Sequence, residues 1–295
     1  MTRAAAAAVA AAALALTACG GGGDAPPRAT PSASATTAKP DDVVVREALA
    51  ATRAKATATF TAEATTAFGF GSTTSRVDGE YDLKSGRARM TQTLSASPPQ
   101  LLEELSGQPV DVADLTVEVI NTADAGYLRM PAWPASIRNR WLRVTRAELA
   151  KLEGVNAPEI QVFPGIVTLL EQVTLGDRAP SGDTYHVLAP APAVFEAFPS
   201  SATTRRIVAA GLDPDTLTGT VEVDVTVVDG VVAAVELDAI EVFRQAWRSV
   251  GQEQAANAVV SLRTTATLNA HGRPVSIAVP TGAAILTQAE LDAAT

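Results

Sequence analysis

One cysteine, two histidines and thirteen aromatic side chains (seven Phe, three Tyr, three Trp) are all that 295 residues contain of these types. A single cysteine excludes any internal disulfide, so the fold must hold by its hydrophobic core alone. Residues 41–295 are long enough to build one as a single domain. Two separate histidines, with the only cysteine near the N-terminus, do not make a usual zinc site. Basic residues are also short: 23 Lys+Arg stand against 32 Asp+Glu, for a formal charge of −9. That balance argues against nucleic acid as a partner and against a basic membrane-docking patch. G-x-S-x-G and phosphate-loop motifs are missing. Alanine is abundant throughout, so a single alanine carries little information.

The lone cysteine, Cys19, has a telling context. An unbroken apolar run, Ala4 to Leu16, precedes it, and Gly20 to Gly23 follow it. Leu16-Thr17-Ala18-Cys19 matches a bacterial lipobox, whereas an ordinary secretory site wants small residues at both −1 and −3. Residues 4–18 as a helix would cover about 22 Å, against a hydrocarbon core of roughly 30 Å. Residues 1–18 are therefore expected to be a removed lipoprotein signal peptide, with Cys19 as the lipid anchor. Two or three acyl chains on such a cysteine suffice for stable attachment. Residues 19–40 then hold the lipidated cysteine and a disordered linker of Gly, Ala, Pro, Ser and Thr. As a coil the linker spans about 25 Å, and stretched about 70 Å. The expected location is the outer face of the plasma membrane, lipid-anchored and extracytoplasmic.

Beyond residue 40 the hydrophobic pattern alternates between two periods. Asp41 and Asp42 can cap a helix running to about Lys55. Residues 57–70 alternate with Ala58, Phe60, Ala62, Ala64, Phe68 and Phe70 on one side, as a half-buried strand does. A second alternating run, with Val77, Gly79, Tyr81 and Leu83 on one face, turns at Lys84-Ser85-Gly86 into Arg87–Leu94. A short helix is expected over Pro98–Ser106, and strands over Leu115–Asn121, Gly126–Met130 and Arg140–Val144. A capping box at Thr145–Glu148 opens a helix that Gly154 stops. Pro164–Val173 reads as a helix and Thr184–Ala189 as a strand, with one or two short helices in 190–213. The strongest local signal is Thr220–Val228, where valines alternate with Glu222, Asp224 and Thr226. Asp229-Gly230 turns it back through Val231, Ala233, Val235 and Leu237. Residues 241–256 favour a helix. Val259–Leu268 and Pro274–Val279, turned at His271-Gly272, suggest a last hairpin. Together these give α+β architecture, built on a large curved antiparallel sheet of roughly ten strands. A sheet so wide curls rather than staying flat.

No chemistry-bearing cluster stands out. His271 lies in a turn and His186 in a strand beside Tyr185, both reading as ordinary structural or surface histidines. The acids sit on polar strand faces, as solubility places them. An enzyme is therefore not expected; neither is a cofactor or a metal. What remains is the apolar face, whose small side chains either pack against helices or leave room for a ligand.

Taken in order, the lipobox, the Thr/Ala-rich strand at Thr57–Phe68, GEYDLKSGRARMTQTL at 79–94, YLRMP at 127–131, RWLRV at 140–144, DTYHVLAP at 183–190, GTVEVDVTVVDGVVAAVEL at 219–237 and TATLNAHGRPVSIAVP at 265–280 resemble the LppX/LprG-type lipoproteins of actinobacteria, distant relatives of the LolA and LolB carriers. The resemblance covers nearly all of residues 41–290 and brings no catalytic or ligand motif. It implies a half-barrel with helices packed on its concave face. Between them would lie an apolar cavity for acyl chains of lipids or lipoglycans, carried across the envelope with the help of an envelope transporter or acceptor protein. Candidate lining residues are Phe60, Ala62, Ala64, Phe68, Tyr81, Met90, Val223, Val225, Val235 and Leu237. Two other readings stay open: a sensor or scaffold lipoprotein presenting the same fold to an envelope partner, and an envelope hydrolase with a polar cleft.

Overall fold

The structure, a computed structural model, describes residues 39–101, 116–145, 162–197, 204 and 207–294. Cys19, the lipobox and most of the linker lie outside the described residues. So do most of the helix expected over 98–106 and nearly all of that expected over 145–154.

Asp41–Lys55 forms helix α1. Its pattern buries Val45, Ala48, Leu49 and Thr52, one face at helical spacing. The sequence suggests Asp41 and Asp42 as caps, but Pro40 is the capping residue and makes no side-chain hydrogen bond. The two aspartates lie instead in the first turn and Arg53 and Lys55 in the last, where each charge complements the helix dipole. Ala56, at φ 67°, ends the helix in the left-handed region.

Twelve strands then form one sheet in the order β12-β6-β5-β4-β3-β2-β1-β11-β10-β9-β8-β7. They are β1 (Thr57–Phe68), β2 (Gly71–Asp82), β3 (Arg87–Ser97), β4 (Thr116–Asn121), β5 (Ala125–Arg129), β6 (Trp141–Thr145), β7 (Thr174–Leu175), β8 (Thr184–Pro190), β9 (Thr220–Val228), β10 (Val231–Asp238), β11 (Val259–Asn269) and β12 (Ile285–Leu286). Every neighbouring pair is antiparallel except β12 with β6. The expected architecture, α+β on a large, open, curled sheet, is the observed one. Helices α2 (Val162–Glu171), α3 (Ala191–Ala197), α4 (Ile240–Ser249), α5 (Glu253–Ala258) and α6 (Gln288–Asp292) follow, with short 3-10 turns at Pro214–Thr216 and Gly282–Ala284. Helix α1 packs on β8, β9 and β10 and against α2; α2 meets α3, α3 meets α4, and α4 meets α5 and β11. Phe195, Phe243 and Trp247 join α3 to α4, with ring centroids 5.3 and 5.8 Å apart. Residues Lys39–Thr295 gather into one compact unit.

Three further sequence expectations need correction. Phe70 and Leu83 do not continue the inward faces of their strands. Both fall in turns and are exposed. In β10 a bulge breaks the alternation: Val232 pairs with Val227, but Ala234 pairs with Thr226, leaving Ala233 unopposed. Val232, not Ala233, therefore enters the core. The last hairpin does not form. Strand β11 already pairs with β1 on one side and β10 on the other, so no ladder is left for Pro274–Val279. Its alternating apolar residues pack elsewhere: Ile277, buried, and Val275 and Val279, half-buried, lie with Ile120, Ala125, Tyr127 and Trp141 on the outer face of β4–β6.

Candidate functional site

Strand registry places the ten expected lining residues on a common face. Leu128, Val119, Met90, Gly79, Phe60 and Leu268 are successive neighbours across six strands. A parallel row runs through Gln92, Val77, Ala62, Ala266, Val235 and Val225. Val223 pairs with Leu237, and Tyr81 with Ala58. Phe60, Ala62, Tyr81, Met90, Val223, Val225, Val235 and Leu237 are all buried in the main core. Phe60 and Tyr81 lie 6.4 Å apart, and burial pushes the Tyr81 phenol well above its ordinary range.

Ala64 and Phe68 differ from the other eight: both are only half-buried. They belong to a second zone of the inner face, towards the β1–β2 turn. There Ala64 pairs with Ser75 and Ser75 with Leu94; Thr66 pairs with Thr73 and Thr73 with Ala96. All six of these, with Leu262 opposite Thr66, are half-buried. One end of the inner face is thus packed by large side chains, and the other carries mostly small ones in partial contact with solvent.

The outer face of β8–β11 holds an arrangement that sequence reading missed. An open cleft of about 400 Å³ is lined by Arg178, Val221, Glu222, Asp224, Glu236, Leu237, Asp238 and Arg263. Arg178 is paired with Glu222, and Arg263 with Glu236. Asp238 Oδ1 accepts from the Ile240 and Leu262 amides at 3.0 and 3.1 Å. His186, directly opposite Asp224, is 4% exposed; its Nδ1 lies 2.6 Å from Asp224 Oδ1 and 3.7 Å from Glu222 Oε1. The histidine read from sequence as ordinary is therefore held between two acids read as solubilising. The available signal was Glu222-x-Asp224 on one strand, but nothing local shows that β8 brings His186 beside it. His271, in the turn after β11, is held below its ordinary pKa chiefly by burial, with Lys55 acting in the same direction and the Val232 backbone opposing.

Among the described residues, no helix is long and apolar enough to cross a membrane.

Neither the protein-family models nor the curated proteins compared with this chain give a match. Solved structures do. LprF from Mycobacterium bovis is 15% identical, with 83% of this chain and all of that chain covered, at a TM-score of 0.41. The Mycobacterium tuberculosis lipoprotein LppX is 12% identical, with 81% of this chain and 98% of that chain covered, at a TM-score of 0.38.

Proposed function

We propose that this chain is a membrane-anchored envelope lipoprotein that binds acyl chains of lipids or lipoglycans on the inner face of its sheet and helps carry them across the envelope. It is held at the outer face of the plasma membrane through Cys19, hands its ligand to or from an envelope transporter or acceptor protein, and is not an enzyme. The observation that carries this reading is the change along the inner face, from the buried Phe60–Tyr81–Met90 zone to the half-buried Ala64–Ser75–Leu94 zone. An acyl chain needs an apolar wall with little side-chain volume in front of it. On a face otherwise closed by large side chains, the small residues supply the room, and Ala64, Phe68, Leu94, Ala96 and Leu262 supply the apolar part of the wall. A chain of about sixteen carbons costs on the order of 12 kcal/mol to remove from a bilayer, at about 0.8 kcal/mol per CH₂. An apolar seat offsets that cost; the polar cleft on the other face does not.

The test is native mass spectrometry of protein exported and lipidated in its own type of envelope, together with uptake of a fluorescent fatty acid. Co-purified lipid and saturable uptake are expected. Ala64→Trp fills the small-residue zone and should weaken uptake by about tenfold or more, equivalent to about 1.4 kcal/mol. Cys19→Ala should abolish incorporation of labelled palmitate and release the protein from membranes. Repeated absence of bound lipid together with no uptake overturns the carrier reading.

A further inference from the structure

We infer that His186, Glu222 and Asp224 form a binding site for a divalent cation of the zinc class on the outer face of the sheet. This goes beyond the lipid reading and does not depend on it.

Three features carry the inference. The first is the donor set. One imidazole and two carboxylates, a mixed nitrogen and oxygen set, suit zinc and its neighbours better than calcium or magnesium, which prefer oxygen alone. The second is geometry. Glu222 and Asp224 are two residues apart on β9, so both project from one face, and His186 is the direct cross-strand partner of Asp224. One ligand atom from each lies within 4.8 Å of the other two. Two ligands at i and i+2 of one strand and a third on the neighbouring strand converge on a point above the sheet. A tetrahedral ion with bonds near 2.0–2.1 Å needs its ligand atoms about 3.3 Å apart. The present separations from His186 Nδ1, 2.6 and 3.7 Å, bracket that value. An ion takes the place of the His186–Asp224 hydrogen bond and turns the Glu222 carboxylate, whose Oε1 now both faces His186 and pairs with Arg178, so that one oxygen serves each.

The third feature is charge. Glu222, Asp224, Glu236 and Asp238 share the cleft with only two guanidiniums, those of Arg178 and Arg263. Four carboxylates against two guanidiniums leave an excess of two negative charges, which one divalent cation offsets. Glu222 and Asp224 both line the cleft, from which water or a small ligand can reach an ion they hold. His186 itself is held rigidly, being almost wholly buried, so the nitrogen donor is preorganised and the two carboxylates, about 40% exposed, supply the freedom to close on the ion.

The experiment is calorimetric titration of the untagged, metal-stripped chain with zinc chloride. A parallel titration with cobalt chloride is followed by visible absorption. Saturable one-to-one zinc binding is expected, with the absorption bands of four-coordinate cobalt. Asp224→Asn and Glu222→Gln are exposed enough to preserve the fold, which circular dichroism checks, and each should weaken binding by about tenfold or more. Glu47→Gln, on the exposed side of α1 where Glu47 pairs with Lys39, should leave it unchanged. No saturable zinc binding by the parent chain overturns the site. So does binding that Asp224→Asn and Glu222→Gln leave intact.

Discussion

Phe60 lies over Gly79. The two face each other in the β1–β2 ladder, and a Cβ added at residue 79 would come within 2.7 Å of Phe60 Cζ and 2.7 Å of the Arg89 carbonyl oxygen. The missing side chain is what lets the ring come this close to the β2 backbone in the inner face. Gly79→Ala should therefore destabilise the protein by about 1–3 kcal/mol, through overpacking against both a buried ring and a neighbouring backbone. Urea unfolding checks this. An unchanged midpoint would mean that the ring has room to move away.

Thr52 joins helix α1 to the bulge of β10. Its hydroxyl donates to the Ala48 carbonyl at 2.8 Å and accepts from the Val232 amide at 2.9 Å, in a fully buried setting. Thr52→Val keeps the shape but removes the acceptor. A loss of about 1–3 kcal/mol is expected, the cost of a buried amide left without a partner. Hydrogen exchange should localise the effect to the Val232 amide.

Glu290 fixes the end of the chain to β6. It accepts from Arg140 at 3.0 and 3.2 Å and from the Thr287 amide and hydroxyl at 2.9 and 3.0 Å. These donors, the Thr287 backbone first and Arg140 next, hold its carboxyl down at about 2, against 4.5 ordinarily. Because the folded value is the lower one, its stabilising contribution is fully present above the unfolded value and fades as pH falls from about 4.5 through 2. Glu290→Gln should lose that dependence. The difference in amide protection of α6 between parent and variant should be evident at pH 6 and vanish near pH 2.

The contrast between β9–β10 and its surroundings shows how far local pattern reaches. Strand period and Asp229-Gly230 specify that hairpin, because both act within twenty residues. At the bulge two residues into β10, the Val232 amide is satisfied by the Thr52 hydroxyl, 180 residues earlier in the chain, and no local rule contains that contact. Pro274–Val279 alternates as a strand does, and its apolar residues are indeed packed, Ile277 fully and Val275 and Val279 in part. What the pattern lacks is the information that β11 has no free side. The site residues divide in the same way. The inward-facing set follows from parity along each strand and is recovered by registry. His186, Glu222 and Asp224 come together only through the pairing of β8 with β9, across 38 residues of intervening chain.

The sheet begins and ends with strands of two residues each, β12 and β7. A wide sheet ordinarily exposes two long rows of unpaired amides and carbonyls, a template on which another chain can add a strand. Here the row offered by β6 is occupied along Trp141 and Leu142 by the chain's own Ile285 and Leu286, and β7 takes part of β8 in the same way. A sheet closed this way leaves another chain only short stretches of free backbone at either edge, so the two residues of β12 work as a cap against edge-to-edge growth.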